Sequence, residues 1–142
     1  MSSLTKHELI DVAILHLRDG NDELMYSETN GEPDTTKPMR IVLYGPGTKQ
    51  FAKATAERQN KALARYQRKG QMKMTAAEIT EERTDFLITV TKDVENIDSD
   101  QDSTGEDLLR EIYGNPKLSH IAEQAETFAR NTANFTPGSA KP

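Results

Sequence analysis

The spacing of apolar residues sorts this chain into strands first and helices afterwards. In residues 9–17 (LIDVAILHL), Val12, Ile14 and His16 alternate with Ala13, Leu15 and Leu17, the two-residue period of a strand. Leu9, Val12, Ala13, His16 and Leu17 fit a helical period equally well, so periodicity alone does not separate the two. The turn signal Asp19-Gly20-Asn21-Asp22 favours a hairpin over residues 9–27, with Glu23 to Ser27 returning as its second strand. Residues 28–38 (ETNGEPDTTKP) read as loop, broken by Gly31, Pro33 and Pro38. Met39 to Tyr44 is the clearest strand, and Gly45-Pro46-Gly47 stops it.

From Thr48 onward the period changes. Thr48 caps a long helix from about Lys49 to about Lys69, rich in Ala, Lys, Arg and Gln. Phe51, Ala54, Thr55, Ala62 and Tyr66 give it a narrow apolar stripe, and Gly70 ends it. Thr75 with Glu78 spells a capping box for a second helix, to which Ile79, Arg83, Phe86, Leu87 and Val90 give an amphipathic face. That helix is expected to end between Thr91 and Asn96, its last turn weakened by the β-branched run Ile88-Thr89-Val90-Thr91. Residues 96–104 form a polar connection. Thr104 and Asp107 open a short helix containing Leu108, Leu109, Ile112 and Tyr113, and Gly114-Asn115-Pro116 interrupts it. A last helix spans about Pro116 to Thr132. The first eight residues read as frayed and the closing NFTPGSAKP as mobile. The sum is an α+β fold: a small antiparallel N-terminal sheet (hairpin plus one further strand) followed by about four helices. It forms a single domain over residues 1–135, with a flexible tail at 136–142.

Composition narrows the function. Only 35% of the 142 residues are hydrophobic and Trp is absent, so the core is small or is completed against a partner. Without cysteine there are no disulfides, thiolate metal sites or Cys nucleophiles. The apolar run near the N-terminus is short and interrupted by Asp11 and His16, unlike a signal peptide. No stretch approaches the roughly 20 apolar residues of a membrane span, and the expectation is a soluble intracellular protein.

Charge is the strongest remaining signal. Residues 49–73 hold eight cations against the single acid Glu57, whereas residues 76–111 hold twelve acids against Arg83, Lys92 and Arg110. Such separation concerns surfaces and partners. The candidate electrostatic surface is Lys53, Arg58, Lys61, Arg65 and Arg68, with Phe51 and Tyr66 as apolar anchors. Three uses compete: a helix whose charges are solvated or paired within the molecule, docking on a protein partner or a second copy, and binding of nucleic acid phosphates.

Signals for catalysis are weak. Gly45-Pro46-Gly47-Thr48-Lys49 lies between strand and helix, but a phosphate loop needs GxxxxGK followed by Ser or Thr, and Pro46 removes a backbone donor. Asp98-Ser99-Asp100-Gln101-Asp102 begins like a calcium loop, yet its sixth position is Ser103 and its twelfth is Leu109. His7, His16 and His120 share no metal or triad spacing. The expectation is no enzyme, no metal and no cofactor.

The order IVLYGPGTKQFAKA, AERQNKALARYQRKG, TDFLITVTKDVENID and GEDLLREIYGNPKLSHIAEQAETFARNTANF, over residues 39–135, resembles the small tail assembly chaperones of long-tailed bacteriophages. The resemblance implies a non-enzymatic protein that binds the tape measure protein and recruits tail tube subunits in the host cytoplasm. It implies absence from the mature virion, and in many phages a frameshifted longer form. Residues 9–27 lie outside it. The charge blocks add an expectation of salt-sensitive self-association, one copy's basic helix facing the next one's acidic helix. The alternatives are a nucleic-acid-binding accessory protein using helix 49–69, or a structural component of the virion tail.

Overall fold

A computed structural model describes residues 2–71, 73–99 and 101–138. A helical turn, α1 (Ser2–Thr5), precedes strands β1 (Val12–His16), β2 (Tyr26–Thr29), β3 (Glu32–Pro38) and β4 (Arg40–Tyr44). Then come α2 (Lys49–Lys69), α3 (Ala76–Val90), β5 (Thr91–Glu95), α4 (Gly105–Tyr113) and α5 (Ser119–Arg130), with 3-10 turns at Pro116–Leu118 and Thr132–Phe135. The expected α+β class holds: an antiparallel sheet in the order β1-β4-β5 and a separate β2-β3 hairpin, with helices beside them. The strands-first order does not hold throughout, because β5 follows α3.

Several boundaries differ from the sequence expectation, each for a local reason. The chain does reverse after β1, where the Asp19 amide donates to Glu23 O at 2.8 Å. The returning segment is not β1's sheet partner, however. β1 pairs with β4, Val12 facing Tyr44 and His16 facing Arg40. Tyr26–Thr29 pairs instead with residues 32–38, expected as loop. The cause is Asn30-Gly31, both at positive φ (56° and 81°), which makes a tight hairpin turn of the kind that matches strand twist. The second helix stops at Val90, because its β-branched end continues as strand β5 on the free side of β4. The first residues form the α1 turn rather than fraying. In the tail, Phe135 is fully buried, so the expectation of mobility fails there; residues 139–142 lie outside the described residues.

One face of the sheet carries the core. Along β4, Ile41 and Leu43 are buried and alternate with partly exposed Arg40, Val42 and Tyr44. Phe86, Leu87 and Val90 of α3, Leu108, Ile112 and Tyr113 of α4, and Ile121, Ala122, Ala125 and Ala129 of α5 close over that face. The run of alanines lets α5 approach the sheet closely. Burying each large side chain contributes about 1.5–3 kcal/mol. Thr91 links the layers. Its hydroxyl donates to Leu87 O at 2.6 Å, so it accepts from the Tyr113 hydroxyl at 2.8 Å. Burial, opposed only by that bond, pushes the Tyr113 phenol up to about 12.

Candidate protein-docking surface

Helix α2 begins at a structural turn. Gly45 N–H donates to Asp11 O at 2.8 Å, and the Thr48 hydroxyl donates back to Gly45 O at 2.8 Å while accepting from the Phe51 amide at 3.2 Å. A β-carbon on Gly45 would run into the Phe135 ring. The Gly-Pro-Gly sequence thus serves close packing and helix capping.

Gly70 ends α2 in the left-handed conformation, φ 72°, where glycine has no steric penalty. Thr75 then opens α3 with both bonds of its capping box in place. The connection between them is short, so the basic and acidic helices become an antiparallel hairpin. Their charges meet along its length. Lys61 Nζ lies 2.6 Å from Asp85 Oδ2, Arg65 pairs with Glu82, and Arg68 and Lys69 reach Glu78 Oε2 at 3.8 and 3.0 Å.

Two carboxylates tie this hairpin to the body. Asp85 also takes Arg110 of α4 at 3.1 Å. Burial raises the Asp85 carboxyl, yet Lys61 and Arg110 outweigh it and hold it below its ordinary value. Glu126 of α5 takes Arg58 at 2.7 Å and Arg130 at 3.0 Å. Burial raises Glu126 too, and its two guanidiniums again prevail. Both guanidiniums lie over the Phe86 ring, 4.9 and 5.0 Å from its centroid, and Phe51 meets the same ring edge-on at 5.5 Å.

The sequence-derived surface is thereby divided. Arg65 is only 4% exposed, so it is an interior residue. Arg58 and Lys61 are bonded to carboxylates of their own chain, and Phe51 is half-buried against Phe86. Lys53 and Arg68 stay exposed. Tyr66 is 51% exposed. Charge pairing expected between copies is made within one chain, where the short connection makes the partner always local. The net field offered to a nucleic acid shrinks accordingly.

Sequence reasoning missed Leu63, 57% exposed, and set Ile79 on the amphipathic face of the second helix, where the structure leaves it 49% exposed. Leu63 lies three residues before Tyr66 and so shares its helix face. Its signal was its position off the apolar stripe. Among the described residues, no group of three His, Asp or Glu side chains is placed to hold a metal ion, and no helix is long and apolar enough to cross a membrane. Comparison with protein-family models, with curated proteins and with solved structures finds no significant match.

Proposed function

We propose that the chain is a phage-type tail assembly chaperone, which escorts the tape measure protein and recruits tail tube subunits without chemistry of its own. The sequence pattern over residues 39–135 motivates the specific role. The observation that carries the docking reading is the far half of the α2–α3 hairpin. There, large apolar side chains (Leu63, Tyr66, Ile79) face solvent while the neighbouring cations are engaged with carboxylates. Such a surface suits reversible contact with an apolar helical stripe of a client. Phe51, Arg58 and Arg65 act in this reading as supports that hold the hairpin, and Tyr66 as a contact residue. Salt-sensitive self-association then rests on exposed Lys53, and on Arg68 where it leaves its 3.8 Å pair with Glu78.

Co-expression with a phage tape measure protein tests the proposal. The client should remain in solution and co-elute with this chain, and Leu63→Asp with Tyr66→Asp should reduce recovery at least about tenfold, the effect of losing central apolar anchors. Equal recovery with the double variant would overturn the docking surface, and no co-elution with the native chain would overturn the role. Mass spectrometry of finished particles should lack the chain; stoichiometric presence would make it a tail component instead.

A further inference from the structure

Strand β1 lies at the edge of its sheet. Gly45 N–H donates to Asp11 O and Leu17 N–H to Met39 O at 3.0 Å, so the odd-numbered residues of this strand turn their backbone groups toward β4. The even-numbered ones face outward. At both ends those outward groups are taken. Ile10 N–H donates to Phe135 O at 2.7 Å. Arg18 N–H donates to Gln124 Oε1 at 2.8 Å, and Arg18 O accepts from Gln124 Nε2 at 2.6 Å, a side-chain amide standing in for a neighbouring strand. Between these caps, Val12, Ile14 and His16 present their N–H and C=O groups with no partner among the described residues.

The opposite edge of the sheet is blunted by Lys92, Asp93 and Glu95 on β5. β1 (VAILH) carries no Asp, Glu, Lys or Arg, and Ile14 is 43% exposed. Beside it runs a groove of about 600 Å³, with Leu15 and Phe128 as apolar lining and α5 as its wall. Asp19, Asp22 and Glu123 border it against the single cation Arg18, and Glu123 makes no ion pair among the described residues.

We infer that this open edge binds a short extended segment of a partner polypeptide by strand addition, with apolar side chains at alternate positions and Lys or Arg toward the acidic border. The inference goes beyond the tail-assembly reading and does not depend on it. A strand supplies alternating donors and acceptors at the spacing Val12, Ile14 and His16 require. The free length fits about five residues, or ~17 Å. A second copy fits less well. Antiparallel pairing centred on Ile14 would bring Ile10 of one copy opposite Arg18 of the other, where the Phe135 and Gln124 caps would compete for one hydrogen-bond width. A separate peptide can turn away before each cap. Lysine or arginine on it would offset the carboxylates at the border.

The probe is an acetylated, amidated pentapeptide alternating lysine and valine, titrated into the full chain labelled with ¹⁵N. The Val12, Ile14 and His16 amides should shift saturably, with a Kd on the order of 0.1–1 mM, typical of a short unoptimised ligand. N-methylating the peptide at its edge-facing amides should weaken binding about tenfold, and glutamate in place of lysine should weaken it by a similar factor. Ile14→Pro removes an outward N–H that makes no internal bond, so the fold should survive, as circular dichroism would show, while binding falls about tenfold. The N-methylated peptide tests the same bond on unaltered protein. Absence of saturable shifts at these amides up to several millimolar would overturn the inference, as would equal affinity for the N-methylated peptide. Shifts of the same amides on concentrating the protein alone would put a second copy on the edge and overturn the chosen occupant.

Discussion

A side chain on Gly45 and the ring of Phe135 cannot share the space between them. Gly45→Ala should therefore cost about 1–3 kcal/mol by overpacking. Phe135→Ala should cost about 3–5 kcal/mol by leaving a cavity. Because each removes the other's problem, the double variant should lose less than the sum, a coupling that urea unfolding would measure. Strict additivity would mean that the two residues do not touch. Arg65 and Glu82 pose the opposite case, two charges withdrawn from water on facing helices, with Arg65 Nε unpaired. Arg65→Met alone strands a carboxylate and should cost about 3–5 kcal/mol, whereas Arg65→Met with Glu82→Leu should recover most of that loss. Thermal melts of the three variants decide it. If the double variant is as unstable as the single one, the pair is holding the hairpin by more than mutual neutralisation.

At the scale of elements, α3 supplies the acids that hold α2, and this makes the hairpin sensitive to acid. The Thr75 amide, then Lys69, hold the Glu78 carboxyl down at about 2, and Asp85 and Glu126 also sit below their ordinary values. A carboxylate with a lower pKa folded than unfolded stabilises the fold above the unfolded value, and that stability is lost as pH falls through the folded one. The window thus runs from about 4.5 down to about 2 for Glu78. Between pH 5 and 2, hydrogen exchange in the far half of the hairpin should accelerate before exchange in β4 or α5, and Glu78→Gln should flatten the early part of that response. Simultaneous loss everywhere would contradict it. Much of this was legible in the sequence: the capping box at Thr75, the Gly70 stop and the opposed charge blocks all specify local events. Two strands were not. Residues 28–38 carried the Asn30-Gly31 turn signal, but their polar and proline-rich flanks hid it, because a two-stranded ribbon outside the core needs no apolar alternation. Thr91–Glu95 was masked by the helical period before it, and only β4's vacant side selects strand. The candidate site was half legible. Charge was visible, but which cations would be buried or paired depends on the helix that faces them.

Taken whole, the molecule consists of a cored body and an arm, and the two are stabilised differently. The body has a continuous apolar cluster under the sheet. The only buried residues of α2 are Ala54 near its start and the charged Arg65, so its far half rests on ion pairs with α3. Exposed pairs of this kind contribute about 0–1 kcal/mol each, and a buried one roughly breaks even with an apolar pair. The arm therefore belongs to the low-stability end of the structure, where local opening is easy. Salt separates the two parts. Raising ionic strength from about 0.1 to 1 M shortens the screening length from about 10 to 3 Å. Amides over residues 59–71 and 73–82 should then exchange several-fold faster, while those of β4 and α5 keep their protection. A uniform response would mean that arm and body open as one unit. A hairpin that loosens without unfolding its base can adjust Leu63 and Tyr66 to an irregular apolar partner. In the proposed escort role, the same looseness would keep the grip weak, which transient binding requires and permanent incorporation does not.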